Sequence, residues 1–148
     1  SSAVIPDGVT SIGGSAFSYC YSLSSAVIPD GVTSIGGSAF SKCYSLSSAV
    51  IPDGVTSIGD GAFSYCYSLS SAVIPDSVTS IGGRAFSNCY GIKEYHCKPL
   101  TPPTLSSTNV FSEIPSDCII YVPVGSLESY TTATNWSTYA SYMQEEPA

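Results

Sequence analysis

Apolar positions in this chain recur on two periods at once. Over residues 24–46 (SSAVIPDGVTSIGGSAFSKCYSL), short apolar–polar alternations are punctuated by Pro, Gly and Ser, and the whole stretch returns every 23 residues. A shift of 23 aligns Ile5, Ile28, Ile51 and Ile74; Phe17, Phe40, Phe63 and Phe86; and Cys20, Cys43, Cys66 and Cys89. The first two copies differ only in Tyr19 against Lys42. A fixed period of this length predicts a solenoid, in which each unit is one coil packed on its neighbours.

Within one unit, SSAVIP is bounded by serines and a proline and reads as a strand. Pro-Asp-Gly is turn chemistry, because proline presets φ and glycine tolerates positive φ. GVTSIG alternates around Val32 and Ile35 and predicts a second short extended segment. Gly36 and Gly37 allow a corner, after which Ala39, Phe40 and Cys43 share one face of a single helical turn. The expected inward set is Leu, Ala, Ile, Val, Ile, Ala, Phe and Cys. One coil alone buries too little to offset the entropy of ordering its backbone, so stacking is obligatory.

The pattern Leu-x-x-Ala-x-Ile-Pro-x-x-Val-x-x-Ile-x-x-x-Ala-Phe-x-x-Cys, as it stands from Leu23 to Cys43, resembles the BspA-type (Treponema-type) leucine-rich repeat. The resemblance covers residues 1–98 and implies a right-handed leucine-rich-repeat solenoid, mainly β with short helical turns. It places a parallel sheet on the concave face and implies surface adhesion or ligand binding in bacteria and protists. One departure is the alanine at a strand position that often carries a larger aliphatic (Ala3, Ala26, Ala49, Ala72), which predicts a thinner core there.

Past residue 98 the period breaks. Residues 99–117 form a Pro/Thr-rich irregular connection, in which Val110-Phe111 imitates one more Ala-Phe position. Residues 118–148 read as a C-terminal cap with short helices and an acidic tail, QEEPA, expected to be disordered. In CIIYVP, Cys118, Ile120 and Val122 share a side; matching Val122-Pro123 to Ile-Pro places Cys97 beside Val122 and out of reach of Cys118. Ser126 is the expected N-cap of a helix with Glu128 in its first turn. Leu127, Tyr130, Trp136 and Tyr139 are expected to cover the core. VPVGSLESY with a downstream Trp also resembles the ending of many BspA-type proteins. The chain starts inside a repeat with no capping segment, so it is read either as cut from a longer array or as docking its open edge on another copy.

Composition narrows the chemistry. A net charge of −7 with only four Lys or Arg argues against nucleic-acid partners. No apolar run is long enough for membrane insertion. The six cysteines suggest disulfides, yet four of them occupy the buried AFxxC column, where parallel Cβ atoms one coil apart exceed disulfide reach. They are expected to be reduced, and with no CxxC motif zinc is not expected. Asp7, Asp30, Asp53 and Asp76 form a column that could recruit calcium, but their turn positions point to local backbone bonding instead. No cofactor is expected.

The candidate binding residues lie on the concave strand face. Ser24, Ser25 and Val27, Ser47, Ser48 and Val50, and Ser70, Ser71 and Val73 point outward, with Val4 extending the valine stripe. The fifth strand, over residues 92–97, adds Lys93, Glu94 and His96 as a charged cluster. Tyr21, Tyr44, Tyr67 and Tyr90 form an exposed aromatic column, suited to stacking on itself or on a partner. A catalytic role for His96 with Glu94 and a serine lacks a nucleophile elbow or triad signature, so no enzyme is expected. Asn135-Trp136-Ser137 fits N-glycosylation, and Asp76-Ser77-Val78 resembles a short bacterial O-glycosylation signal.

Two functions follow as expectations. The first is an extracellular or cell-surface adhesion module that binds host or microbial surface proteins or glycans by multivalency. The second is a structural subunit that associates head to tail into filaments through its uncapped N-terminal coil. The near-identity of the copies is also compatible with an engineered consensus that has no ligand.

Overall fold

The computed structural model describes residues 2–147. Each repeat supplies two short strands: β1 (Ser2–Val4) and β2 (Ser11–Ile12), β3 (Ser25–Val27) and β4 (Ser34–Ile35), β5 (Ser48–Val50) and β6 (Ser57–Ile58), β7 (Ser71–Ile74) and β8 (Ser80–Ile81). Then come β9 (Glu94–Cys97), β10 (Thr104–Leu105) and β11 (Ile119–Val122), followed by α1 (Leu127–Thr132), a 3-10 segment (Trp136–Tyr142) and β12 (Met143–Glu145). All pairings are parallel, and like residues pair with like: Ala3 with Ala26, Ala26 with Ala49, Ile12 with Ile35, Ile35 with Ile58. The first strands form two ladders, β1-β3-β5 and β7-β9-β11-β12, with β5 and β7 adjacent between them. The second strands form one ladder, β2-β4-β6-β8-β10. This is the solenoid the 23-residue period predicts.

The interior follows the expected inward set. Phe40, Phe63 and Phe86 are buried, and the Phe rings stack with centroids 5.2 to 5.4 Å apart from Phe17 to Phe86. Phe111 continues the stack at 5.9 Å from Phe86, so Val110-Phe111 does repeat the Ala-Phe position. At the alanine position Ala26 and Ala72 are buried, and the fifth strand substitutes Tyr95, buried edge-on against Phe86 and Phe111.

The Ala-Phe corner differs from the single helical turn expected of it. Its backbone alternates between turn bonds to i−3 and bonds to the next coil. Ala39 N–H donates to Gly36 and Ser41 N–H to Ser38, whereas Ser38, Phe40 and Lys42 donate to Asp60, Ala62 and Ser64. A helix would spend these five donors internally; here three of them join coils. The alternation demands left-handed backbone twice per coil, at Ser38 and Lys42 (φ 56° and 60°), Gly61 and Tyr65 (65° and 61°), and Arg84 and Asn88 (59° and 60°). The first glycine of the pair before the corner is required sterically. A Cβ on Gly36, Gly59 or Gly82 would fall within 2.4–2.6 Å of an atom of the previous coil. The second glycine is not required, and Asp60 takes its place in the third coil.

All six cysteines are free. Those of the column are inter-coil donors: the Cys43, Cys66 and Cys89 thiols reach the carbonyls of Phe17, Phe40 and Phe63 at 3.2, 3.3 and 3.2 Å. Burial pushes Cys43 up to about 11 and Cys89 up to about 12, and raises Cys66 further. Cys97 lies a register step beyond the His96–Tyr121 pair, opposite Val122, while Cys118 precedes the pairing of Ile119 with Glu94.

The C-terminal elements close the core. Tyr130 and Trp136 are fully buried, Tyr139 is buried and Leu127 half-buried. Ser126 occupies the N-cap position, but its hydroxyl makes no cap bond; it donates backward to the Pro123 carbonyl at 2.6 Å. Glu128 sits in the first turn as the helix dipole favours. The tail expected to be disordered is in part a strand: β12 pairs with β11, and Glu146 N–H donates to the Val122 carbonyl at 2.8 Å.

Candidate functional site

Strand alternation decides which side chains leave the sheet. Ala26 points in, and Ser25 and Val27 point out; register then lines their equivalents into rows. Val4, Val27, Val50 and Val73 are 78, 59, 73 and 44% exposed, an unbroken β-branched stripe. Ser47, Ser48 and Ser70 beside it are exposed, and Ser24, Ser25 and Ser71 are half-buried. Ser47 is partly committed to structure, because both its N–H and its hydroxyl donate to the Ser24 carbonyl.

The valine row runs into His96 and then Tyr121, since Val73 pairs with His96 and His96 with Tyr121. The imidazole stacks on Tyr121 at 5.1 Å. Its Nε2 lies 3.0 Å from Glu94 Oε1 and its Nδ1 lies 2.8 Å from Glu146 Oε2. Burial lowers the affinity of this ring for a proton, but the two carboxylates together outweigh it and hold His96 above its ordinary pKa. With a carboxylate on each nitrogen, the doubly protonated ring satisfies both, and neither nitrogen faces a hydroxyl. The arrangement is an ion-paired clasp between β9 and the tail after β12, unlike a Ser–His catalytic pair. Lys93 stands apart and pairs with exposed Asp117 at 3.1 Å. The charged cluster expected on the fifth strand is thus two separate pairings. Glu146 and Tyr121 were missing from the sequence reading. The register that puts Cys97 beside Val122 also puts Tyr121 beside His96, so that contact was recoverable.

The tyrosine column forms as a stack. Tyr21–Tyr44 and Tyr44–Tyr67 centroids are 4.7 Å apart with near-parallel rings, and Tyr67–Tyr90 are 5.3 Å apart. Tyr21, Tyr67 and Tyr90 are exposed. Beside it runs a second row that the sequence reading did not single out: Tyr19, Lys42, Tyr65 and Asn88. Tyr19 and Tyr65 meet the column edge-on, and the Lys42 ammonium lies 4.8 and 5.6 Å from their ring centroids. The signal was available, because this is the one position at which the first two copies differ. Asp7, Asp30, Asp53 and Asp76 are exposed in their turns, and no group of three metal-binding side chains assembles among the described residues.

Comparison with known proteins sharpens the picture. The family model described as BspA type leucine rich repeat region matches residues 1–114 in 6 copies. A leucine rich cell surface protein of Faecalibacterium prausnitzii A2-165 superposes with TM-score 0.74 at 26% identity, over 99% of this chain and 36% of that one. A leucine-rich repeat protein of Bacteroides ovatus ATCC 8483 gives 0.59 at 27% identity, over 82% and 39%. The T. pallidum leucine rich repeat protein gives 0.61 at 24% identity, over 82% and 68%, and shares the fold. The chain therefore spans little more than a third of the length of the first two. No curated protein sequence matches it significantly.

Proposed function

Because the chain belongs to the BspA-type leucine-rich repeat family, we propose that it is a binding module of an extracellular or cell-surface protein, taking protein or glycan partners along the Val/Ser strand face. The observation that carries this reading is the exposed valine row, four residues long at coil spacing and flanked by hydroxyls. Monomeric surfaces seldom leave such aligned apolar side chains open without use. Identical sites one coil apart suit an extended or repetitive partner, since weak contacts then add through effective concentration. The net charge of −7 disfavours nucleic acid. No helix among the described residues is long and apolar enough to cross a membrane.

The test is retention on arrays of extracellular-matrix proteins and glycans, comparing the native chain with Val27→Lys/Val50→Lys. The native chain is expected to be retained and the variant lost, with unchanged thermal unfolding because both positions are exposed. Failure of the native chain to bind any array surface, or equal retention of the variant, would sink the reading.

A further inference from the structure

The places where the chain departs from its own repeat are not scattered. In the third and fourth units, Asp60 replaces a glycine, Gly61 and Arg84 replace serine, and the irregular connection brings Ser107 and Asn109 alongside. These residues converge with Tyr65 and Ser87 around one groove of about 430 Å³ at the Ala-Phe corner, away from the valine stripe.

The departures also rewire the backbone at this spot. Elsewhere the corner's first left-handed residue donates to a carbonyl of the next coil, as Ser38 does to Asp60. Here Arg84 N–H donates instead to Asn109 Oδ1 at 3.2 Å, and Gly83 N–H to Asp60 Oδ1 at 2.9 Å. At Arg84 a side chain thus takes over a bond that backbone makes in the other coils, and both Asn109 and Asp60 are held at the groove by these bonds. At its base, Ser87 is 1% exposed and its hydroxyl has no hydrogen-bond partner among the described residues. Its counterparts one and two coils back, Ser64 and Ser41, bond each other at 2.9 Å. A buried hydroxyl without a partner, at the base of a polar cavity, marks a place where a ligand group completes the bonding.

We propose that this groove is a binding site for a neutral sugar, a single pyranose unit or the end of a short glycan. One carboxylate and one guanidinium balance in charge, which favours a polyol over an anion. Asp60 offers a second carboxylate oxygen, Arg84 its fork of donors and Asn109 its NH2 group, planar groups that match pairs of vicinal hydroxyls. Tyr65, fixed edge-on against Tyr67 at 6.1 Å, offers the flat apolar surface on which the C–H face of a pyranose packs. The site is independent of the strand face proposed above, and a failure there leaves it untouched.

The experiment is NMR titration of the full chain with the methyl glycosides of glucose, galactose, mannose and N-acetylglucosamine. At least one is expected to shift the Tyr65, Arg84 and Asn109 signals with an affinity in the millimolar range, leaving Val27 and Val50 unmoved. Asp60→Asn, which keeps an acceptor for Gly83 N–H, and Ser87→Ala are each expected to weaken binding roughly tenfold without altering thermal unfolding, while Asp30→Asn changes nothing. The proposal is overturned if no sugar shifts these signals. It is equally overturned if both variants bind like the native chain, or if inorganic phosphate displaces the sugar.

Discussion

The four repeats and the C-terminal elements solve the same problem by opposite means. In the repeats, the backbone groups of one coil are satisfied by the backbone of the next, and one phenylalanine per coil stacks on its identical neighbour. After residue 98 the 23-residue period lapses, and beyond the irregular coil that carries Phe111 side chains take the place of a following coil. Trp136 Nε1–H donates to the Pro103 carbonyl at 2.7 Å and Asn135 Nδ2–H to the Leu105 carbonyl at 2.7 Å. Tyr130 donates to the Pro99 carbonyl at 2.5 Å, and the Tyr139 hydroxyl to that of Thr108. Periodic stacking can be extended indefinitely but cannot end itself; ending it takes large side chains that each carry one donor and an apolar body.

Four experiments, two of them on paired variants, would break or sharpen this contrast, in descending size of effect. Removal of residues 118–142 exposes the whole terminal layer, and size-exclusion light scattering should show aggregation; a soluble, equally stable truncation would refute the capping role. Trp136→Ala should lower stability by about 4–6 kcal/mol in denaturant unfolding, combining a large cavity with an orphaned Pro103 carbonyl. Trp136→Phe should cost only about 1–2 kcal/mol, isolating the hydrogen bond, and a Phe variant as stable as the native chain would contradict the donor argument.

Within the array, Phe63→Ala should cost about 3–5 kcal/mol, because its ring is buried between two others. Phe17→Ala, half-buried and stacked on one ring, should cost about 1–2 kcal/mol. Similar values would show that coils contribute regardless of position. The smallest effect is the pH dependence of the clasp. His96 faces Glu94 and Glu146, with Tyr121 stacked on it and Lys98 3.9 Å from Glu146. Its pKa is raised in the folded chain, so its stabilising contribution is fully present below the unfolded value near 6.5 and is lost as pH rises through the folded value. Hydrogen-exchange protection of the Glu146 amide, corrected for intrinsic rate, should fall over that window and become pH-independent in His96→Gln. Constant protection in the native chain would refute the clasp.

The array was legible from sequence because identical units leave little choice: register, inward set and the rows of Val, Tyr, Phe and Cys all follow from the 23-residue shift. The corner was misread as helical because spacing alone places Ala39, Phe40 and Cys43 on one face in either conformation. The backbone alternates because donors aimed at a neighbouring coil hold it left-handed at Ser38 and Lys42, against the preference of those residues. The cap was legible as a list of buried aromatics, but not in its bonding partners. The docking of the tail was missed, since QEEPA carries no strand signal of its own.

Sequence by itself determined the repeat, the core columns and the outward rows, because those depend on residues one period apart. Tertiary structure alone decided the His96–Glu146 clasp, the donors that end the ladder and the groove around Ser87. Each of these joins segments with no common period, and only the stacked core brings them within bonding distance.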